Sequence, residues 1–260
     1  MQAGVVAAPR AVAPVWRERL RRFHGRGWAV IPAAAIIGAI FLIRYASGTA
    51  DVLTYLALVA VPLLAMAALG WMAHGARPAY APVALGLFVL AWRAPGTLGG
   101  QAAAALLSGL SCVTLGALLA AVTDTRWLKA GIIAMACADV WLVASELLQQ
   151  PNNELAAAAP GGGLPQLQSE QFGTVAMGYG DMFVAGLLGG VMAGRGRLQG
   201  AAALLTLVIA ASFDVLFLVV HELPATVPVA LALIVVDLVL VPSERRARSK
   251  PGDAIPPPAM

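Results

Sequence analysis

Charge is scarce in this chain. Only 12% of its 260 residues are Asp, Glu, Lys or Arg, too few to clothe a water-soluble domain of that length. The shortage argues against an ordinary globular enzyme, and the net charge of +4 comes mainly from arginines at the two ends. On such an apolar chain that pattern reads as membrane topology, with no nucleic-acid partner. Cysteine is equally sparse. Cys112 and Cys137 both fall in apolar runs, which argues against a disulfide framework, and Cys137 reads as a small buried apolar residue. Lysine and asparagine are nearly absent beside abundant Ala, Gly, Leu and Arg, a composition typical of a GC-rich bacterial source. His221 and Glu222 adjoin one another, but no second His, Cys or Glu pair stands at zinc spacing, so no metal and no cofactor is expected.

What the chain does have is apolar sequence. Hydrophobic residues make up 60% of it, and its mean hydropathy is +0.82. This composition predicts an all-α fold, a polytopic membrane helix bundle in contact with the lipid bilayer. Residues 1–27 are polar and carry six arginines, Arg10 to Arg26. No small-residue cleavage site follows, so the first apolar run reads as an uncleaved anchor. Apolar segments lie at about 28–46, 52–74, 80–93, 98–123, 128–147, 174–194, 199–220 and 223–242. These predict about eight spans, nine at the upper count, split into an N-terminal group over 28–127 and a second group over 128–242. The connection 148–173 is long, Pro/Gly-rich and free of Lys and Arg, and its middle is expected to be flexible. The tail 243–260 is basic, then Pro-rich, and expected to be disordered.

Threading eight spans from a cytoplasmic N-terminus leaves Arg44 and Arg93 as the two outer cations of the seventeen Lys and Arg. The other fifteen (17 − 2) fall inside, which predicts cytoplasmic termini and an extracytoplasmic 148–173 loop in a bacterial cytoplasmic membrane.

Against this background the intramembrane acids stand out, because an ionisable side chain inside a span costs several kcal/mol. Asp139, Asp181, Asp214 and Asp237 each fall within an apolar segment. Asp139 lies ~15 Å from the inner end of its span and Asp181 ~10 Å from the outer end of the next, at 1.5 Å per residue. The two spans are antiparallel, so both carboxylates come to within roughly 5 Å in depth. Two carboxylates facing each other in a low dielectric share a proton. One then activates water while the other polarises a carbonyl. Gly178 and Gly180 flank Asp181 and let a substrate backbone or a helix approach closely. Pro224 and Pro228, in Leu-Pro-Ala-Thr-Val-Pro, loosen the start of the last segment and free carbonyls for an extended partner. Asp214 and Asp237 read as structural, and Glu146 as a solvated residue at a cavity mouth. Tyr179 reads either as a substrate contact or as an interfacial aromatic.

An aspartate in one span, Gly178-Tyr179-Gly180-Asp181 in the next and Pro224-Ala225-Thr226 opening the last together resemble the presenilin and signal peptide peptidase family of intramembrane aspartyl proteases. The resemblance covers roughly residues 130–242. It implies that Asp139 and Asp181 are the catalytic pair. Gly178, Tyr179, Gly180, Pro224, Ala225 and Thr226 would then bind substrate, a transmembrane or signal-peptide helix with a cytoplasmic N-terminus. Ala138 stands where that family usually has Tyr, and Thr226 where it usually has Leu. Two other readings stay open. Gly178-Tyr179-Gly180 could end a potassium-type filter, although Met177 replaces its valine and Thr174 lies too far back. The chain could also be a non-enzymatic multipass protein or transporter.

Overall fold

The computed structural model of the protein describes residues 24–46, 48–172, 175–215 and 223–242, with side chains for all of these except 170–176 and 214. Most of the basic leader, Thr174, His221, Glu222 and the tail 243–260 lie outside the described residues.

Each of the eight apolar segments forms a helix. They are α1 (Ile31–Tyr45), α2 (Thr49–Ala67), α3 (Ala81–Arg93), α4 (Leu98–Val122), α5 (Thr125–Ala144), α7 (Tyr179–Val191), α8 (Gly196–Asp214) and α9 (Val227–Val235). A ninth helix, α6 (Gln149–Ala157), lies in the long connection. π-Helical turns extend α2 over Ala68–Met72 and α9 over Val236–Leu240. Starts are marked by local chemistry. Proline sits in the first two positions of α1, α3 and α9, where its missing N–H costs nothing. The Thr97 hydroxyl accepts from the Gly100 amide at 3.1 Å to cap α4.

Thr49–Met72, Leu98–Val122, Thr125–Ala144 and Gly196–Phe213 are long and apolar enough to cross a membrane. The helices Ile31–Tyr45, Pro78–Arg93, Tyr179–Val191 and Val227–Leu240 are apolar but shorter than the ~20 residues a full span needs. The chain thus has the character of a helical membrane protein, with four helices long and apolar enough to span.

Helix α4 is the axis of the bundle. One core gathers α2, α3 and α4 through Val61, Ala65, Ala84, Leu107 and Leu110. A second gathers α4, α5, α7, α8 and α9 through Cys112, Ile132, Val184, Leu187, Ala202 and Leu233. The most extensive contact is between α4 and α7, and glycine makes it possible. A Cβ on Gly116 would strike the Gly186 carbonyl, one on Gly186 the Cys112 carbonyl, and one on Gly190 the Gly116 carbonyl. Backbone thus lies directly against backbone, the small-residue packing that replaces hydrophobic drive between helices in lipid.

Two expectations need correction. Segment 174–194 is not helical throughout. Val175–Gly178 is a strand, paired antiparallel with Ser169–Phe172 in the register Ser169↔Gly178 and Phe172↔Val175. Gly178 at the junction weakens helix there, and the pairing satisfies the backbone instead. The middle of 148–173 is also tied down. Thr54 donates its hydroxyl to the Ala158 carbonyl, Trp92 its indole N–H to Gly162, and Gln168 its amide to Leu155 and Ala158, all at 3.1–3.3 Å. Composition hid this because the carbonyls of this run are held by side-chain donors, two of them, Thr54 and Trp92, from other parts of the chain.

Candidate functional site

The site is assembled where α5, α7 and the turn before α9 meet. Helix α5 buries a stripe through Leu128, Ile132, Met135, Ala136 and Leu142, spaced at three and four residues. Asp139 continues that stripe between Met135 and Leu142. It is half-buried, so an acid occupies a position where the helix otherwise packs. Cys137 lies off the stripe and is exposed, contrary to the expectation that it is buried, whereas Cys112 is buried.

Asp139 is held by the last of the three sequence elements. Thr226, 87 residues away, donates both its backbone N–H (3.1 Å) and its hydroxyl (2.7 Å) to Oδ2 of Asp139. Thr226 itself is buried at 4% exposure. The turn that carries it is closed by the Val227 amide, which donates to the Pro224 carbonyl at 3.2 Å. Ala225 is exposed. Thr226 is therefore a polar partner of Asp139.

Asp181 is in the first turn of α7, because the helix starts at Tyr179. It is not seven residues deep in a helix, as a span beginning at 174 implied; the hairpin, not helix, leads up to it. Its Oδ2 accepts the Gly178 amide at 3.2 Å, which closes the helix start. Asp139 stands near enough for its charge to act on the Asp181 carboxylate. The fold thus brings together the two aspartates and the Pro-Ala-Thr turn.

The glycines differ. A Cβ on Gly178 would stand 3.2 Å from Asp181 Oδ2, a tight contact, whereas one on Gly180 would meet Ile36 of α1 at an ordinary 3.5 Å. The fold alone does not demand glycine at 180. Tyr179 is neither free nor at a rim. Its hydroxyl is 2.7 Å from Ser111 Oγ, and Ser111 spends its own hydrogen on the Ser108 carbonyl at 2.7 Å, so the tyrosine is the donor. Its ring touches both cores.

A potassium filter needs the carbonyls of residues 178–180 extended and turned toward an ion path. Here Tyr179 and Gly180 are already helical and Val175–Gly178 pairs with the first strand.

The remaining acids fall elsewhere. Asp214 ends α8. Asp237 accepts Lys129 Nζ on both oxygens, at 2.5 and 2.6 Å. Glu146 is exposed just past α5, with φ of 55°. Among the described residues no three His, Cys, Asp or Glu side chains gather as a metal site. Sequence reasoning missed Ser111 and Lys129, since neither bears a motif. For Lys129 a signal existed: it is one of two lysines in the chain, and it pairs with an acid in the last apolar segment. Comparison with protein-family models, with curated proteins and with solved structures found no match to this chain.

Proposed function

We propose that this protein is an intramembrane aspartyl protease in which Asp139 and Asp181 form the catalytic pair. The observation that carries the reading is that Asp139 takes both Thr226 donors while Asp181, which follows Gly178-Tyr179-Gly180, lies within electrostatic reach of Asp139.

The chemistry follows from the oxygens. Both Thr226 donors fall on Oδ2 of Asp139, which fills its lone pairs. A proton shared by the pair therefore sits on Oδ1 of Asp139 or on Asp181. The ionised member takes a proton from water, the resulting hydroxide adds to the scissile carbonyl, and the protonated member hydrogen-bonds the developing oxyanion. Collapse of the tetrahedral adduct returns a proton to the leaving amine. The substrate is a transmembrane or signal-peptide helix, which must unwind locally because helical peptide bonds are closed in their own hydrogen bonds. The strand Val175–Gly178 has one edge paired and the other without a strand partner among the described residues. That edge ends three residues before Asp181 and offers main-chain bonds to an extended segment. Eight membrane crossings, cytoplasmic termini and a bacterial cytoplasmic membrane belong to the same proposal, supported by the distribution of Lys and Arg.

The test is inhibition. A peptide mimic with a hydroxyl at the scissile position, resembling the tetrahedral adduct, is expected to block cleavage of a membrane-helix substrate in liposomes, while a chelator leaves it unchanged. Inhibition by the chelator but not by the mimic would refute the dyad.

A further inference from the structure

Helices α5 and α9 touch through apolar side chains. Ile132, Met135 and Ala136 on one side and Val229, Ala230 and Leu233 on the other belong to a single core. Such a surface gives little preference for one longitudinal register over another, since apolar contacts between helices in lipid are exchanged for equally apolar lipid. Polar contacts add a register preference that this apolar surface supplies only weakly.

Among the described residues there are two such contacts, and they lie at opposite ends of the interface. Near the start of α5, Lys129 donates to both oxygens of Asp237. Towards its other end Asp139 accepts from Thr226. The helices run antiparallel, and the spacings agree. Residues 129 to 139 span ten steps, about 15 Å, and residues 226 to 237 eleven steps, about 16 Å. Asp237 lies in the π-helical turn Val236–Leu240, where the helix takes up an additional residue, so the two sides need not match residue for residue. A slide of one turn, about 5.4 Å, would break both contacts together. The side chains of Lys129 and Asp237 retain only 23% and 30% of their exposure. Separating them leaves a poorly solvated charge on each helix, which opposes slippage even if the pair adds little to overall stability.

We infer that the Lys129–Asp237 ion pair is a positioning device: it fixes the register of α9 on α5 so that Thr226 stays on Asp139. Lys129 and Asp237 are positioning residues, acting on the reacting group through Thr226. The consequence for catalysis rests on the protease reading; the consequence for register does not.

Two readouts separate these. For register, Asp139→Cys and Thr226→Cys are combined in full-length protein in which Cys112→Ala and Cys137→Ala remove the native thiols, and disulfide yield under mild oxidation in membranes is measured. The yield is expected to fall several-fold on adding Asp237→Asn. It should recover with the exchange Lys129→Asp/Asp237→Lys, which places the acid near a helix N-terminus and the base near a C-terminus, where both are tolerated. Yield is scored only on protein that elutes as a folded species after solubilisation. An unchanged yield in Asp237→Asn, even with a lower Tm, would make the pair a stabiliser and overturn the inference. For catalysis, with the native Asp139 and Thr226, Asp237→Asn is expected to lower kcat by roughly ten- to a hundredfold with KM little altered, and the exchange to restore it. If Asp181→Asn still cleaves, the protease reading fails, and the disulfide yield still decides the register.

Discussion

Asp139 and Asp181 each have a hydrogen-bond partner, the distant Thr226 for one and the local Gly178 amide for the other, so structure and proposed chemistry are interleaved at single residues. Gly180 separates them. Its position in the first turn of α7 leaves ordinary room for a methyl group beside Ile36. Alanine there gains helix propensity, worth up to about 1 kcal/mol. Gly180→Ala is therefore expected to hold or raise Tm in detergent while reducing cleavage, because a substrate backbone loses its close approach to Asp181. Unaltered cleavage in this variant would remove Gly180 from the substrate surface. Thr226 was legible only as an irregularity. A hydroxyl in place of an aliphatic side chain looks like an imperfect motif in one dimension, and becomes a carboxylate partner only when α9 is folded back on α5.

At the level of elements, the helices were readable because the apolar runs coincide with them and because proline marks several starts. The hairpin was not. Ser169–Phe172 is polar in part, and Val175–Gly178 merges with the apolar run that follows; nothing local distinguishes a strand from the first turn of a span. The partners that reveal it lie on the opposite strand. Nor could sequence foresee how close α4 and α7 would come. Glycines 116, 186 and 190 read as ordinary small residues until their missing side chains are seen to admit a neighbouring carbonyl. Propensity would make Gly186→Ala stabilising by about 1 kcal/mol. The collision with the Cys112 carbonyl is with backbone rather than a flexible side chain, and overpacking of this kind costs about 1–3 kcal/mol. Gly186→Ala is thus expected to lower Tm, the opposite sign to Gly180→Ala in the same helix. Equal shifts in both variants would argue against the packing described for α4 and α7.

Over the whole molecule, the two cores meet on α4, and Tyr179 touches both immediately before the glycine and aspartate of the site. Four helices meet the length of a membrane span; the shorter apolar helices complete the proposed eight crossings. The fifteen-to-two charge split, from seventeen Lys and Arg in all, gives this topology a sign. A reporter fused after residue 250 is expected to be cytoplasmic and one inserted near residue 160 exported. The reverse result at either point would mean that one of the short helices does not cross. The most direct measurement is proteolysis of a membrane-helix substrate by purified protein in liposomes, comparing the native chain with Asp139→Asn and Asp181→Asn across pH. The native protein should cleave with an acidic and a basic limb that belong to the pair. Each asparagine variant should fold yet lose activity, and the double variant should lose no more than either single one. Undiminished cleavage by either variant, or no cleavage by the native chain together with ion flux that depends on Gly178 and Gly180, would contradict the protease reading.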